Sequence, residues 1–281
     1  MASVDICNSA LIKIGVSPIT ALTDNNKAAR LCNLIYDKLR RKLLISHYWN
    51  FARGRARLTQ DTFDFVDGDV TTGTDNINHT AHGRVTGERL DLTTTETLPT
   101  GLSSNVEYFI VRVDDDNFKI SETYEEALAG TVIDITAAAG GGTHTYNARP
   151  AFEYDRQFLL PSDYLRGEKT DNEFDEFKIE KGIVVTSSGS INLIYIADIT
   201  DTDEMTETFK EALAYLIGSE LAIPLTQNVS MEARMKDQAK IELKDVRSAD
   251  AQEGTPESLG ANAWVDARQF RGSPLNRKVT T

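Results

Sequence analysis

The chain changes texture twice, and that break constrains its folding more than anything else in the sequence. Residues 61–148 carry 16 acidic side chains against 4 basic ones, net −12, while the remainder holds 27 acidic and 26 basic, net −1. Inside the acidic block the 3.6-residue apolar period disappears, and Thr, Gly, Asp, Val and Ile dominate. A chain of 281 residues has room for one large domain or two ordinary ones. The reading is therefore an acidic β module set into a nearly neutral, partly helical host.

The host begins with Ser3 to Ile14. Ser3 caps a short helix, Ile6, Ala10, Leu11 and Ile14 share a face, and Gly15 suits the left-handed position past its end. A loop containing Pro18 leads to Asn25–Leu58, the most strongly patterned stretch of the chain. Thr23, Asp24, Asn25 and Asn26 form a capping cluster, and apolar residues recur at Ala28, Leu31, Cys32, Ile35, Leu39 and Leu43. Lys27, Arg30, Lys38, Arg40, Arg41 and Lys42 fall mostly off that stripe, which predicts an apolar seam and a positive outer face. The helix should stop near His47, followed by an extended aromatic segment, Tyr48–Phe51, in which Trp49 and Phe51 read as core. The alternation Arg53-Gly-Arg55-Ala-Arg57 then predicts a strand with three arginines on one face. Such a face suits nucleic acid or an acidic partner, or is simply a charged guard on a strand edge; both readings stand.

Within the block, Arg84–Leu92, Val106–Val113, Asn117–Ser121 and Thr131–Thr136 read as short strands separated by Gly-, Asn- and Asp-rich turns, with Gly140-Gly141-Gly142 a flexible exit. Beyond it, Ala151–Leu160 reads as a strand, Pro161-Ser-Asp163 as a turn, and Glu176–Glu180, Ile183–Thr186 and Ile191–Ile199 as a three-stranded meander. Thr202 or Asp203 caps a helix with Met205, Phe209, Leu213, Leu216 and Leu221 inward, stopped by Pro224. Asn228 caps a last helix to about Ala251, with Met231, Met235, Ala239, Leu243 and Val246 inward. The expected fold is α+β. Residues 1–60 and 149–255 form a four-helix bundle with a small antiparallel sheet, residues 61–148 an inserted all-β barrel or sandwich, and residues 256–281 an extended C-terminal arm. Trp264, Arg268, Phe270 and Arg271 mark that arm as a docking element, since a free tail gains nothing from such side chains.

The chemical motifs are mostly missing. Gly140–Gly142 lacks the Lys-Ser/Thr and following helix of a phosphate loop, and neither a Gly-x-Ser-x-Gly elbow nor a His-Glu-x-x-His pair is present. His79, His82 and His144 have a spacing that could hold a metal, but they are better read as lying in strand-edge turns. Asp114-Asp115-Asp116-Asn117 begins like a calcium loop but lacks its Gly and distal Glu, so a solvated turn is expected. No enzyme activity, cofactor or metal is expected. Cys7 and Cys32 sit in helical patterns and read as reduced, buried thiols. No apolar run approaches the roughly 20 residues of a membrane helix. MASVDICNSAL has no basic or apolar leader region, so neither a secretion signal nor a membrane partner is expected.

The stretch ICNSALIKIGVSPITALTDNNKAARLCNLIYDKLRRKLLISHYWNFARGRARL resembles the N-terminal signature of the head-to-tail adaptors of short-tailed bacteriophages, the tail tubular protein A group and related head-completion adaptors. FLLPSDYLR and INLIYIADITDTDEMTETFKEALAYLIGSELAIPLTQN are similar to that family's second half. The block HGRVTGERLDLTTTETLPTGLSSNVEYFIVRVDDDNFKISETYEEALAGTVIDIT looks like a β-barrel decoration module of phage structural proteins. That module itself resembles the first catalytic cysteine half-domain of ubiquitin-activating enzymes, here without a cysteine. The resemblance implies a structural virion protein of the tail or neck, assembled in the host cytoplasm as a homo-oligomeric ring of generally twelve subunits. The ring binds the portal through the C-terminal arm, presents a platform to tail nozzle or tail fibre proteins, and extends a channel through which genomic DNA passes without sequence-specific binding. On this reading Arg40, Arg41, Arg53, Arg55 and Arg57 lie at subunit interfaces or the channel, and the acidic module projects outward. The competing expectation is a tail-associated recognition protein whose β module binds host-surface glycans.

Overall fold

The computed structural model describes residues 2–137, 141–172 and 176–253, which divide into two units. The helical unit comprises Ser3–Asn33 and the chain from Thr206 onward. It contains α1 (Ser3–Lys13), the first turns of α2 (Lys27–Ile45), and two long helices, α4 (Glu207–Thr226) and α5 (Val229–Gln252). Ile6, Cys7, Ala10 and Leu11 of α1 pack on α4, and α4 packs on α5. Gly218 lies where they converge: a Cβ added there would sit 3.5 Å from the Ala10 carbonyl oxygen and 3.7 Å from the Met235 sulfur. Gly15, at φ +76°, takes the left-handed position past α1.

The caps of the long helices are local. Thr206, rather than Thr202 or Asp203, caps α4 by accepting from the Phe209 N–H, because Thr202 starts a separate turn closed by the Met205 N–H. Asn228 caps α5 by accepting from the Met231 N–H at 3.0 Å. Pro224 does not stop α4. It sits in the last turn, where little ladder remains to break, and the helix ends at Gln227 with φ +55°. Cys7 and Cys32 are both buried and free, and the hydrogen bond between them, with burial, pushes the Cys7 thiol up.

Residues Leu34–Met205 form the second unit, which holds three antiparallel sheets. The first has the order β1-β13-β10, from β1 (Arg53–Arg57), β10 (Tyr164–Thr170) and β13 (Asn192–Ala197). The second, in the order β11-β12-β9, is made of β9 (Arg156–Leu159), β11 (Phe177–Glu180) and β12 (Ile183–Thr186). The expected meander is thus interrupted, since β12 pairs with β9 while β13 lies between β1 and β10. Strand β10 was absent from the sequence reading.

The third sheet has seven strands: β2 (Thr62–Phe65), β3 (Val70–Thr71), β4 (Asn76–Asn78), β5 (Arg89–Thr94), β6 (Glu107–Arg112), β7 (Asn117–Ser121) and β8 (His144–Arg149). Their order is β2-β8-β5-β6-β7-β4-β3. Edges β2 and β3 do not pair, so the acidic block is neither a closed barrel nor a two-sheet sandwich. All seven strands nevertheless feed one apolar cluster, from Phe65 and Val70 at the two edges to Ile110, Phe118 and Tyr146 between. That requires the sheet to curl strongly. The block also contains a helix, α3 (Tyr124–Ala129), with a Thr123/Glu126 capping box and Gly130 at φ +76°. Residues 131–136 form no strand; Ile133 and Ile135 each donate a single backbone hydrogen bond there, to Ile120 and to the Asp75 carboxylate.

The α+β class holds, but the expected four-helix bundle does not form. Helix α2 is shared between the units: its residues up to Asn33 belong to the helical one and those from Leu34 to the sheet unit. The reason lies in its buried face, which runs through Ala29, Cys32, Tyr36, Leu39 and Leu43 and includes Arg40. A guanidinium on the inward face needs a carboxylate, not the apolar centre of a bundle.

Gly54 shows how closely the first sheet is packed. A Cβ there would meet the Tyr195 ring at 2.7 Å, and that ring is held by its hydroxyl donating to Asp163 at 2.9 Å. Gly54→Ala is therefore expected to cost about 1–3 kcal/mol through overpacking, whereas Gly68→Ala, with nothing within 4 Å, should change little. Urea unfolding of both variants checks this.

Candidate functional site

The five arginines singled out in the sequence separate into two groups. Arg40 is only 1% exposed. Its guanidinium pairs with Asp198, donates to the Ile199 carbonyl at 2.5 Å, and reaches Asp37 at 3.2 Å. Arg41 meets the other oxygen of Asp198 at 2.9 Å. The outer face of α2 is thus less positive than its pattern suggests, and Arg40 is a fixture of its own subunit. Arg53, Arg55 and Arg57 are exposed on β1, alternating with the half-buried Gly54 and Ala56. Arg53 is paired with Glu168 at 2.9 Å, while Arg55 and Arg57 have no ion-pair partner among the described residues. The aromatic residues before the strand serve packing: Trp49 is buried and its indole N–H donates to the Leu43 carbonyl at 3.0 Å, closing the end of α2. Arg166 lies over the Tyr48 ring at 4.3 Å. Trp264, Arg268, Phe270 and Arg271, assigned to portal docking, lie outside the described residues.

The histidines are used one at a time. His144 is not in a turn: it is fully buried in β8, between the Thr94 hydroxyl at 2.9 Å and Asp67 at 3.0 Å. Hydroxyl, imidazole and carboxylate follow one another as in a nucleophilic triad. The second Asp67 oxygen accepts from the Gly141 N–H at 2.8 Å, so the array ties the end of the block to its beginning. His82 accepts from the Arg84 N–H and contacts the Asp114 carbonyl, each at 3.0 Å. His79 lies against Phe63, with ring centres 4.1 Å apart and the planes tilted by 44°. Among the described residues no group of three or more His, Cys, Asp or Glu side chains is placed to hold a metal ion. Asp114 folds over its own turn, accepting from the N–H groups of Asp116 and Asn117, which hold its carboxyl below the usual range.

The most concentrated electrostatics lie at the junction of the acidic block, which sequence reasoning missed. Asp61 enters the block and Ala148 leaves it, and the Ala148 N–H donates to the Asp61 carbonyl at 3.0 Å. The Asp61 carboxylate takes both terminal nitrogens of Arg84, at 2.6 and 2.8 Å, and the Gln157 amide at 2.7 Å. Arg84 also reaches Glu88 at 2.9 Å and lies 4.9 Å from the centre of the Tyr146 ring. Burial pushes the Asp61 carboxyl up, but the Arg84 hydrogen bonds and charge, with Gln157, outweigh it and hold the group below the usual carboxylate range. The only sequence signal for this clamp was its position, an acid at the first residue of the block.

A carboxyl depressed in the folded state adds stability that is fully present above its unfolded value, about 3.9. That stability is lost as the pH falls through the folded value. Asp61→Asn should cost about 3 kcal/mol at pH 7, the low end for breaking a buried pair because Glu88 still serves Arg84. The gap between variant and wild type should shrink below about pH 4 as Asp61 itself protonates. Denaturant unfolding across pH checks this, and a pH-independent gap would contradict it.

No helix of the described residues is long and apolar enough to cross a membrane. No protein-family model matches the chain, and no curated protein matches it.

Proposed function

We propose that this chain is a structural virion protein, a subunit of an adaptor ring that joins the capsid portal to the tail and extends the DNA channel. The reading begins in the adaptor-like sequence of residues 6–58, 158–166 and 191–228. The observation that carries it is the surface of the helical unit, which leaves large apolar side chains in water: Ile12 of α1 is 63% exposed, Val229 and Ile241 of α5 67% and 53%. Apolar side chains on two helices suit a heterologous contact, in which one patch meets a different patch of the next copy and rotation closes the ring. On this reading the chain performs no catalytic step. The C-terminal arm with Trp264 and its neighbours grips the portal, and tail nozzle or fibre proteins meet the far side. Its place is the neck of the virion.

The acidic block is a separable decoration in this reading. Its first and last residues, Asp61 and Ala148, meet in a backbone hydrogen bond, so residues 62–147 can be removed without stretching the chain on either side. Its net charge of −12 would repel DNA if it lined a channel, which favours an outward position.

Mixing purified chain with portal rings and counting subunits by electron microscopy tests the proposal. The expected result is a closed ring seated on the portal, formed equally by the chain lacking residues 62–147, with a monomer or small oligomer in the absence of portal. Failure of the intact chain to bind portal rings would overturn the reading; failure of the deletion alone would overturn the outward placement.

A further inference from the structure

The basic strand has an open backbone edge, and the pattern of its hydrogen bonds shows which residues face it. Leu58 N–H donates to the Ile191 carbonyl at 2.9 Å, and β1 pairs with β13 through Ala56↔Leu193 and Gly54↔Tyr195. In an antiparallel ladder alternate residues face alternate sides, so Gly54, Ala56 and Leu58 face β13, and Arg53, Arg55 and Arg57 face away. Asn192, opposite Arg57, confirms the phase: its carbonyl accepts from the Asp171 N–H at 3.2 Å, on the β10 side. Farther along, this outward side is occupied by the chain itself. Thr59 O accepts from Leu159 N–H and Asp61 N–H donates to Gln157 O, each at 2.9 Å. Continuing that register would bring Pro161 opposite Arg57, and proline has no N–H to give. There the chain turns away, closed by the Tyr164 N–H on the Pro161 carbonyl at 3.0 Å. The Arg53 N–H is taken by the Asn50 carbonyl. Among the described residues nothing takes the N–H and C=O groups of Arg55 and Arg57, which stay open at the edge of the sheet order β1-β13-β10.

The side chains on the same residues are also unspent. Arg40, Arg53, Arg84, Arg89 and Arg149 each pair with a carboxylate of this chain. Arg55 and Arg57 pair with none among the described residues, in a chain of 43 acidic residues.

We propose that the outer edge of β1 docks an extended acidic segment of a partner protein, which adds as a further strand beside Arg55 and Arg57. Backbone bonds to these two residues supply the affinity. Acidic side chains at alternate positions, about 6.6 Å apart as strand geometry sets them, meet the two guanidiniums and supply the selectivity. The open N–H and C=O pairs favour a peptide over a nucleic acid, because a phosphate backbone has no use for alternating donors and acceptors. Continuity with the Thr59–Asp61 ladder gives the incoming strand its register. This edge belongs to one sheet of one subunit and does not depend on the adaptor reading.

The test uses the full chain and a fluorescein-labelled peptide alternating Glu with Val, followed by anisotropy. A second peptide carries the same charge with Pro at the alternate positions, and a duplex DNA of equal charge competes. Binding of the first peptide is expected, with at least ten-fold weaker binding of the proline peptide. Arg55→Glu/Arg57→Glu should abolish binding. Arg55→Ala should weaken it, and Arg55→Pro, which also deletes the outward N–H while sparing the bonds to β13, should weaken it at least ten-fold further. If Arg55→Pro fails to fold, the two peptides still decide. Equal binding of both peptides, or stronger binding of DNA, would overturn the proposal in favour of a polyanion site. Self-association of the chain, abolished by Arg55→Glu/Arg57→Glu, would overturn it in favour of a second copy.

Discussion

A guanidinium carried into a protein interior has to be met there, and Arg40 sets the terms for what surrounds it. Its charge sits on the inward face of α2, 1% exposed, and is answered by Asp198, the residue after β13, and by the Ile199 carbonyl. An uncompensated charge in that position costs several kcal/mol, so the second half of α2 is committed to the end of β13. Asp198 is itself positioned by its N–H donating to the Asp163 carbonyl at 2.6 Å. β13 in turn is the central strand that holds β1 and β10. The buried Arg40 is thereby tied to the end of the strand on which the arginine strand pairs.

The acidic block obeys the same economy of charge. Its seven strands bury an apolar cluster that is its own, and many of its carboxylates are spent locally. Asp67 anchors His144 and Gly141, Asp91 meets Arg149 and Asn147, and Asp61 grips Arg84. Each fixes a loop or a strand end that the short strands cannot fix by pairing alone. A domain of strands this short depends on such ties. The charge that makes the block look like a foreign module in the sequence is thus partly its internal scaffolding.

What could be read from the sequence was what depends on neighbours along the chain. Helices α1, α2, α4 and α5 follow from the apolar period, and Gly15 and Asn228 play the roles their types suggest. The same rules overlooked α3, although Thr123, Glu126 and Gly130 spell out its caps, because a six-residue helix carries too little apolar period to stand out among strands. What depends on partners distant in the chain was not legible. Arg40 fell off the apolar stripe only because its partner is 158 residues away. The meander over residues 176–199 looked continuous, yet β12 and β13 find different partners. Of the candidate site, the alternation of Arg53, Arg55 and Arg57 was readable, but not that Arg53 is paired, nor that the strand's outer edge falls open at Pro161. The clamp at Asp61 had no local signature.

The most direct test of this account is a double-mutant cycle on Arg40 and Asp198, read by denaturant unfolding of Arg40→Met, Asp198→Asn and the pair. If the buried ion pair commits α2 to the sheet, each single change breaks it and should cost about 3 kcal/mol, the low end for a buried pair because Arg41 still meets Asp198 and Asp37 still reaches Arg40. The double variant should then recover much of that loss, giving a coupling energy above about 2 kcal/mol. Small and additive effects would contradict the account, because Arg40 would then be a passenger on the helix and not the residue that places it.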